Sequence, residues 1–324
     1  MMQIAVTGSR GLVGSALVQF LAAGGHRVTR IVRGGGVVGG GVVGGGVVGG
    51  DVRDGDAAAG LFARWSVERG IEDPVPLEGL DAVVHLAGEN IAAGRWTRAR
   101  KEEIRRSRVV GTRRLATALA GLARPPRVFV AASAVGIYGD RGDEILDEQS
   151  APGRGFLAEL CIDWEAAAEP LGAAGRRVIH LRFGAVLTPS GGALAKMLPP
   201  FQLGAGGVLG SGRQMMSWIG LDDALAAILH AITTTGLSGP VNAVAPGPVT
   251  NAEFTRVLAR VLGRPALLPV PAFALRLVFG ELADEMLLAS QRAVPARLLA
   301  TGYRFVDAEL GPALERALGR RPSS

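Results

Sequence analysis

Three glycines near the start of the chain, Gly8, Gly11 and Gly14, are spaced for binding a phosphate group. They follow a short apolar run at residues 3–6 and precede residues 12–22, where apolar residues recur at helical spacing. A turn of this kind brings the backbone close to a pyrophosphate, and the free N–H groups and positive dipole end of the helix favour its negative charge. Because the motif joins the first strand to the first helix, we expect it to bind a dinucleotide.

The charges around this motif indicate which dinucleotide it binds. An NAD-selective site places a carboxylate at the end of the second strand, where it binds the ribose hydroxyls. Residues 1–50 contain no acid, and the predicted second strand, residues 27–32, is followed by Arg33. Arg10 lies within the glycine motif, and a guanidinium can bind a phosphate through two parallel hydrogen bonds. We therefore predict NADP(H), with Arg10 and Arg33 as contacts; the alternative for Arg33 is a solvated strand end.

The segments that would position these residues alternate between strand and helix patterns. Beyond residue 80 the strand patterns cover residues 81–86, 127–132 and 177–182, and the helix patterns cover residues 98–122 and 156–168. Such alternation produces a parallel sheet with helices on both faces. We therefore predict an α/β fold of the Rossmann type, with a doubly wound parallel sheet.

The pattern changes at two places, which suggests how the chain is organised. Residues 34–50 form a Gly/Val-rich repeat, which we expect to be a loop inserted at the surface because glycine disfavours a packed element. From about residue 184 onwards, glycine and proline pairs mark loops between shorter helical patterns. We predict an NADP-binding domain at residues 1–184 and a smaller C-terminal α/β cap, carrying the substrate contacts, at residues 185–324.

Further motifs resemble the extended short-chain dehydrogenase/reductase superfamily. Thr7 precedes the glycines, and residues 81–88 are similar to the superfamily's fourth strand and its Ala-Gly turn. Residues 107–112 resemble its Asn-Val-x-Gly-Thr helix motif, with Arg108 in place of Asn, and residues 133–139 resemble its fifth-strand segment ending in Tyr-Gly. The resemblance implies that the Ala-Gly turn contacts the adenosine half of the cofactor and that Arg108 holds the neighbouring loops.

One branch of that superfamily is especially similar. Residues 86–96, 206–218 and 289–302 resemble the "epimerase family" proteins that carry a C-terminal domain of unknown function. The branch resemblance implies that Glu103 also lies beside the cofactor, although a surface ion pair is the alternative for Glu103 and Arg108. The predicted cofactor contacts are Gly8, Arg10, Gly11, Leu12, Val13, Gly14, Arg33, Leu86, Ala87, Gly88, Glu103, Arg108 and Val186.

The superfamily's catalytic dyad, Tyr-x-x-x-Lys, is absent. Neither of the two tyrosines has a lysine four residues later, since the only lysines are Lys101 and Lys196. Aligning Glu165 with the superfamily's usual downstream Glu puts Leu157 at the tyrosine position and Cys161 at the lysine position. We expect Cys161 to be an inert core cysteine; the alternative is a nucleophile, which would need a nearby histidine or cation to lower its pKa. A proton-transfer step would therefore need other groups.

Ser133 and Tyr138 are the predicted catalytic residues. Ser133 would orient the substrate if the strand-five segment carries a one-residue insertion, and Tyr138 is the only phenol near it in sequence. Glu89 and Lys196 are the other candidates for proton transfer. No set of side chains shows the spacing of metal ligands, so we predict no metal.

Composition excludes several other classes of protein. Apolar residues make up 48% and charged residues 20%, which is typical of a globular chain. The net charge of +6 comes from scattered arginines, and aromatics total 5%, too few for stacking on bases. We therefore expect no nucleic-acid partner. No apolar run is long enough for a membrane span, and the N-terminus enters a strand pattern without a leader, so we expect a cytoplasmic location.

Two functional hypotheses remain open. The first is an NADP(H)-binding oxidoreductase or epimerase that acts on an unidentified small polar substrate. The second is a non-catalytic NADP(H)-binding sensor or interaction protein, which the missing dyad favours. Retention of the 206–218 segment favours the first, because a sensor has little need of a substrate loop. A homodimer is compatible with either hypothesis.

Overall fold

The computed structural model describes residues 1–33, 61–66 and 70–320 of the 324-residue chain. The Gly/Val-rich repeat at residues 34–50 lies outside these residues. Within them the strands, in chain order, are β1 (Gln3–Thr7), β2 (Arg27–Arg33), β3 (Leu61–Ser66), β4 (Gly70–Ile71), β5 (Ala82–His85), β6 (Val128–Ala134), β7 (Ile145–Leu146), β8 (Arg177–Phe183), β9 (Ala185–Leu187), β10 (Met215–Met216), β11 (Trp218–Gly220), β12 (Gly239–Ala243), β13 (Val249–Thr250) and β14 (Arg292–Ala293).

The α-helices of the same residues are, in chain order, α1 (Leu12–Ala23), α2 (Arg98–Arg105), α3 (Gly111–Ala120), α4 (Phe156–Ala166), α5 (Glu169–Ala173), α6 (Gly192–Gln202), α7 (Leu221–Thr233), α8 (Asn251–Leu262), α9 (Ala272–Phe279), α10 (Ala296–Ala300) and α11 (Leu310–Ala317). The helix predicted over residues 98–122 is continuous, but it widens into a π-helical turn at Arg106–Val110, between α2 and α3. Such turns are frequent at functional sites, and this one carries Arg108.

An eight-stranded sheet runs through the described part of the chain in the order β12-β8-β6-β5-β1-β2-β3-β4. Neighbouring strands are parallel throughout, except that β3 and β4 are antiparallel. The strand order reverses between β1 and β5, which opens a crevice at their carboxyl ends. The predicted doubly wound parallel sheet is therefore confirmed.

Helices cover both faces of the sheet. On one face, α1 and α7 bury Leu17 and Ile228 against strand residues such as Val6. On the other face, α3 buries Leu115 against Phe129 of β6. Successive residues of a strand point to opposite faces, so a strand that is covered on both sides must be apolar along nearly its whole length. Apolar runs of this kind are the pattern from which the strands were predicted.

The chain beyond residue 185 contributes to the central sheet as well as to a cap. Strand β12 extends the sheet beside β8, and α7 packs on the sheet. The cap has its own core, in which Trp218 packs with residues of α6, α8 and α11. The division between residues 184 and 185 stays a prediction. In residues 1–33, 61–66 and 70–320, no helix is both long and apolar enough to span a membrane.

Candidate dinucleotide and substrate site

The glycine loop between β1 and α1 makes close backbone contacts that only glycine permits. Gly8 has a φ of +65°, and a Cβ there would lie 2.8 Å from the carbonyl of Leu86. A Cβ on Gly14 would lie 2.1 Å from the Gly8 carbonyl oxygen, which accepts a hydrogen bond from the Gly11 amide. In the described chain, no side chain caps the N-terminus of α1. Its first amides are therefore suited to a phosphate.

Thr7 connects the glycine loop to the turn that follows β5. Its hydroxyl oxygen accepts hydrogen bonds from the Leu86 amide at 3.1 Å and the Ala87 amide at 3.2 Å. The same hydroxyl lies 2.7 Å from Nδ1 of His85. Because the oxygen already accepts two hydrogen bonds, the hydroxyl proton is directed to His85, and Nδ1 is the acceptor.

The second ring nitrogen of His85 extends this chain of hydrogen bonds to the helices. Nε2 lies 3.0 Å from the hydroxyl of Thr112 in α3, which also accepts from the Trp164 indole at 3.0 Å. With Nδ1 acting as acceptor, Nε2 carries the proton and His85 is neutral. Burial lowers the pKa of His85 to about 4. The chain thereby holds the predicted contacts Leu86 and Ala87 against the glycine loop.

Arg108 lies beneath the same turn. Its Nη1 donates to the Glu89 carbonyl at 3.0 Å, and its guanidinium lies 5.0 Å from the Trp164 ring. A Cβ on Gly88 would lie 3.2 Å from the guanidinium carbon, so the turn rests directly on Arg108. Burial lowers the pKa of Arg108. This placement agrees with the loop-holding role that the resemblance implies.

Glu103 is more exposed than Arg108. Its carboxylate accepts from Arg100 at 2.6 Å, and its side chain is 56% exposed. Arg100 in turn donates to the Asn90 carbonyl and lies 3.7 Å from the carboxylate of Glu89. Glu103 therefore contacts the turn only through Arg100. This arrangement favours the surface ion pair over the direct cofactor contact, the two alternatives predicted for Glu103.

The mouth of the crevice lies between the glycine loop and the chain that follows β9. A cavity of about 430 Å³ is lined on one side by Arg10, Gly11 and Leu12, and on the other by Thr188, Ser190 and Gly191. Gly191 lies against Leu12 so closely that a Cβ there would come within 2.9 Å of it. Arg10 is exposed at this mouth.

Three further predicted contacts occupy different surroundings. Val186 is half-buried in β9, which pairs with β11 at the carboxyl side of the crevice. Val13 packs its side chain against the core beneath α1, so only its backbone can face a phosphate. Arg33 is the last residue of β2 and pairs with Trp65 of β3, and its side chain lies outside the described part of the structure.

Ser133 lies at the carboxyl end of β6 with its hydroxyl engaged inside the protein. Its Oγ donates to Oε1 of Glu165 at 2.7 Å, and it is almost wholly buried. The Glu165 carboxylate also accepts from Nε and Nη2 of Arg182, at 2.8 and 2.9 Å. A bidentate pair of this kind fixes the carboxylate in one orientation. Ser133 is thus held towards α4, with a free lone pair as its remaining capacity for a ligand.

Tyr138 is fully buried on the one-turn helix that follows β6. Its hydroxyl lies 2.7 Å from Oδ1 of Asn242 and 2.9 Å from the Asp147 carbonyl, and it accepts from Arg182 at 3.0 Å. Burial raises the pKa of the Tyr138 hydroxyl. These surroundings favour a structural role over the acid/base role predicted from the sequence.

Apolar groups occupy the place of the missing dyad. Leu157, in the first turn of α4, packs with Trp96, Leu160 and Leu282 in one buried cluster. Cys161 lies one turn later and is almost wholly buried. Burial raises the pKa of its thiol to about 12, so the thiolate is not formed at neutral pH. The prediction that Cys161 is an unreactive core residue agrees with these surroundings.

Of the two other candidates for proton transfer, the Glu89 carboxylate lies 3.7 Å from Arg100, and Lys196 makes a contact of its own. Its ammonium donates to the Ala92 carbonyl at 2.7 Å, which connects α6 to the loop after β5. Among the residues that the structure describes, no cluster of histidine, cysteine and acidic side chains could hold a metal ion.

A second cavity, of about 340 Å³, lies where the turn after β6 meets α4 and the cap. Its polar lining consists of Asp140, Arg154, Arg276, Asp284 and Glu285. Asp284 is paired with Arg276 at 2.8 Å, and Asp140 accepts from the Ser290 amide at 3.1 Å. The exposed Arg154 makes no polar contact within the described residues, so its guanidinium is the group most available to a ligand.

Glu285 closes one side of this cavity and caps α4. Its carboxylate accepts from the amides of Phe156 at 2.9 Å and Leu157 at 2.7 Å. Gly155, with a φ of +104°, lies directly against that carboxylate; a Cβ there would come within 2.9 Å of it. Two amides at the start of α4, which have no acceptor within the helix, thus donate to a carboxylate of the cap. The positive dipole end of α4 also favours the negative charge of Glu285.

Sequence reasoning missed several of these groups. Glu165 was used to align the missing dyad, but its pairing with Arg182 was not foreseen. Arg154 and Glu285 were not singled out. An arginine within the apolar run of β8 was the available signal for Arg182, because a buried charge needs a partner.

A glycine loop at the strand-order reversal of a doubly wound sheet defines a dinucleotide-binding α/β protein. Comparison with known sequences agrees: residues 4–244 match the NAD dependent epimerase/dehydratase family, and residues 270–317 match a domain of unknown function, DUF1731. The chain therefore belongs to the NAD-dependent epimerase/dehydratase family.

Relatives match over nearly the whole chain. It is 44% identical over 319 residues to the epimerase family protein MT2273 of Mycobacterium tuberculosis, covering 98% of both chains. It is 38% identical to human epimerase family protein SDR39U1, covering 97% of this chain and 99% of the human one. A crystal structure of human SDR39U1 (isoform 2) with NADPH superposes with a TM-score of 0.84 at 35% identity, over 98% of this chain and 99% of that one.

Proposed function

We propose that the protein binds NADP(H) in the crevice between the glycine loop and the turn after β5. The observation that carries this proposal is the packing of Gly8 against the Leu86 carbonyl, with uncapped α1 amides beside it. That loop fits a pyrophosphate. Arg10 at the mouth and Arg33 at the end of β2 supply positive charge for the extra phosphate of NADP(H). The human relative at 35% identity was crystallised with NADPH.

Titration of NADPH and NADH against the wild-type protein and Arg33→Glu tests this choice. Arg33→Glu should weaken NADPH binding by about 1–3 kcal/mol, because it removes a charge-assisted hydrogen bond and adds repulsion. Arg27→Glu, at the opposite end of β2, is the matched control and should leave the affinity unchanged. Equal affinities of the wild type for NADH and NADPH would contradict the proposal.

We further propose that the protein is an NADP(H)-dependent oxidoreductase or epimerase of a small polar substrate, bound in the 340 Å³ cavity. When bound, the nicotinamide supplies or accepts a hydride. Arg154 would bind an anionic or strongly polar group of the substrate, while Leu157 and the residues around it exclude water. Ser133 lies at the carboxyl end of β6, and its role in orienting the substrate stays a prediction.

One observation favours the non-catalytic alternative. The positions of the dyad hold Leu157 and Cys161, and the hydroxyls of Ser133 and Tyr138 are both engaged inside the protein. In that case occupancy by NADP(H) would be the signal, and no substrate would turn over.

Activity measurements separate the two functions. NADPH oxidation is followed with a panel of carboxylate-bearing and neutral carbonyl compounds, using NADPH deuterated at C4 to identify a transferred hydride. An oxidoreductase should transfer deuterium, and Arg154→Gln should raise KM for the carboxylate-bearing compounds, whereas the exposed Arg256→Gln should not. An epimerase returns the hydride that it removes and consumes no NADPH, so the same compounds in their hydroxyl form are also incubated with NADP⁺ and inspected for a change of configuration. Tight cofactor binding with neither deuterium transfer nor epimerisation would support the sensor hypothesis.

A further inference from the structure

The 340 Å³ cavity is lined by five charged side chains, and most of their charges are balanced within the chain. Arg276 and Asp284 form an ion pair with each other at 2.8 Å. The Glu285 carboxylate accepts from two amides of α4, and the positive dipole end of that helix offsets its charge. Two charges of the lining stay unbalanced, because neither Arg154 nor Asp140 makes an ion pair in the part of the chain that the structure describes.

Asp140 keeps one of its two carboxylate oxygens available to a ligand. Its Oδ1 accepts from the Ser290 amide at 3.1 Å and from the Gly142 amide at 3.4 Å, and both of these donors are neutral. No donor of the described residues contacts Oδ2. The side chain is exposed at the cavity, so a ligand that enters the cavity can reach this oxygen.

The backbone places Arg154 between two segments that carry carboxylates. A Cβ on Gly139, the residue before Asp140, would lie 3.0 Å from the Arg154 carbonyl oxygen. On the other side of Arg154, a Cβ on Gly155 would lie 2.9 Å from the Glu285 carboxylate. An unbalanced positive group and an unbalanced negative group thus line one cavity from neighbouring segments, without pairing with each other.

This pair of unbalanced charges indicates the chemistry of the ligand. A carboxylate of the ligand can bind the guanidinium of Arg154 through two parallel hydrogen bonds. An ammonium group of the same ligand can donate to Oδ2 of Asp140 and balance its charge. A ligand with only one of these groups would leave the other side chain without a charged partner, which lowers its affinity. A metal ion is not favoured beside Asp140, because no cluster of ligands within the described residues could hold one.

The volume of the cavity and the proposed reaction add two further requirements. Ligand pockets typically measure about 300–1,000 Å³, so a cavity of 340 Å³ suits a small molecule. An NADP(H)-dependent oxidoreductase or epimerase also needs a substrate carbon that bears a hydroxyl or a carbonyl group, because the hydride is exchanged at that carbon.

We propose that the substrate is a small hydroxy amino acid, or its oxo form, whose carboxylate binds Arg154 and whose ammonium group binds Asp140. This inference rests on the proposed function, because it names the substrate class of the same cavity. Arg154 and Asp140 are then the residues that determine specificity, one for each charge of the substrate.

Isothermal titration calorimetry with two matched sets of compounds tests the substrate class without requiring turnover or cofactor. In the first set, threonine carries both charged groups, β-hydroxybutyrate lacks the ammonium group and aminopropanol lacks the carboxylate. Glucosaminate, gluconate and glucamine form a second, larger set in the same order. In at least one set, the compound with both groups should bind at least tenfold more tightly than either of the other two.

Two substitutions that each remove one charge assign the groups to their partners. Arg154→Gln should abolish the preference over the amine, and Asp140→Asn should abolish the preference over the acid. The asparagine keeps a carbonyl oxygen for the neighbouring amides, and a thermal melt shows whether each variant is folded. Arg264→Gln and Asp143→Asn are the matched controls, because both residues are exposed and lie outside the lining of the cavity. They should retain both preferences.

Loss of one preference in each folded variant supports the proposal. It is overturned if neither compound with both groups binds, if each binds no better than its singly charged counterparts, or if the preferences survive both substitutions. Failure of the proposed function has a different signature. Hydride transfer or epimerisation confined to compounds without both charges would support the reaction and overturn the substrate class. Both preferences in a protein that binds no NADPH would support the assignment of Arg154 and Asp140 and overturn the proposed function.

Discussion

Mild acid should destabilise the fold through His85. This side chain is buried and neutral, with Nδ1 accepting from Thr7 and Nε2 donating to Thr112. Protonating Nδ1 would place an N–H against the Thr7 hydroxyl, whose oxygen already accepts two amides. A positive charge would also have to be buried, which is why the pKa of His85 is lowered to about 4.

The contribution of His85 to the free energy of unfolding depends on how its pKa differs between the folded and unfolded chains. Unfolded histidine has a pKa of about 6.5, so between pH 6.5 and 4 the unfolded chain binds a proton that the folded chain does not. The stabilisation is fully present above pH 6.5 and is lost as the pH falls to about 4. A difference of roughly 2.5 pKa units corresponds to about 3 kcal/mol of the free energy of unfolding.

Urea unfolding of the wild type and His85→Gln at pH 7 and pH 4.5 measures this contribution. Other groups also titrate in this range, but they affect both proteins, so the difference between the two proteins isolates His85. We expect the variant to be less stable at pH 7, because it loses buried hydrogen bonds. The difference in the free energy of unfolding between the two proteins, here called the gap, should shrink by about 2–3 kcal/mol at pH 4.5. If the gap is the same at both pH values, the reasoning about His85 is refuted.

Three further outcomes follow from the site. Gly14→Ala should abolish NADPH binding in a fluorescence titration, because its Cβ would lie 2.1 Å from a carbonyl oxygen, whereas Gly94→Ala, which meets nothing within 4 Å, should bind normally. Cys161 should resist iodoacetamide at pH 8 until the protein is unfolded, since its thiol pKa is about 12; rapid labelling of folded protein would contradict its burial. Glu285→Ala should lower the free energy of unfolding by about 1–3 kcal/mol in urea, since it leaves two amides of α4 without their acceptor.

The elements that could be predicted are those whose pattern lies within one short, contiguous segment of sequence. Strands β1, β5, β6 and β8 are short apolar runs, and the glycine loop is a contiguous motif, so both could be recognised without knowing what lies opposite. The same holds for α1 and α4. Strand β12 was missed because its sequence begins with glycine and proline, which indicate a turn, although it lies at the sheet edge, where proline is tolerated.

The polar architecture of the site could not be predicted in the same way. Ser133 meets Glu165, and Glu285 reaches Phe156 across 129 positions of sequence. The first contact is fixed by the packing of α4 beside β6, and the second by the packing of the cap on α4. The surroundings of Tyr138 also depend on a distant part of the chain, because Asn242 comes from β12, the edge strand that the sequence pattern did not reveal.

The hydrogen bond between Tyr138 and Asn242 forms only late in folding during synthesis. As the protein emerges from the ribosome, β8 is complete near residue 183, but β12, which pairs beside it, ends at residue 243. Until then the Tyr138 hydroxyl lacks its Asn242 acceptor, and the edge of β8 is open to pairing with another chain. Nascent chains ending before residue 239 should therefore depend on chaperones, and release of the folded protein should follow synthesis of β12.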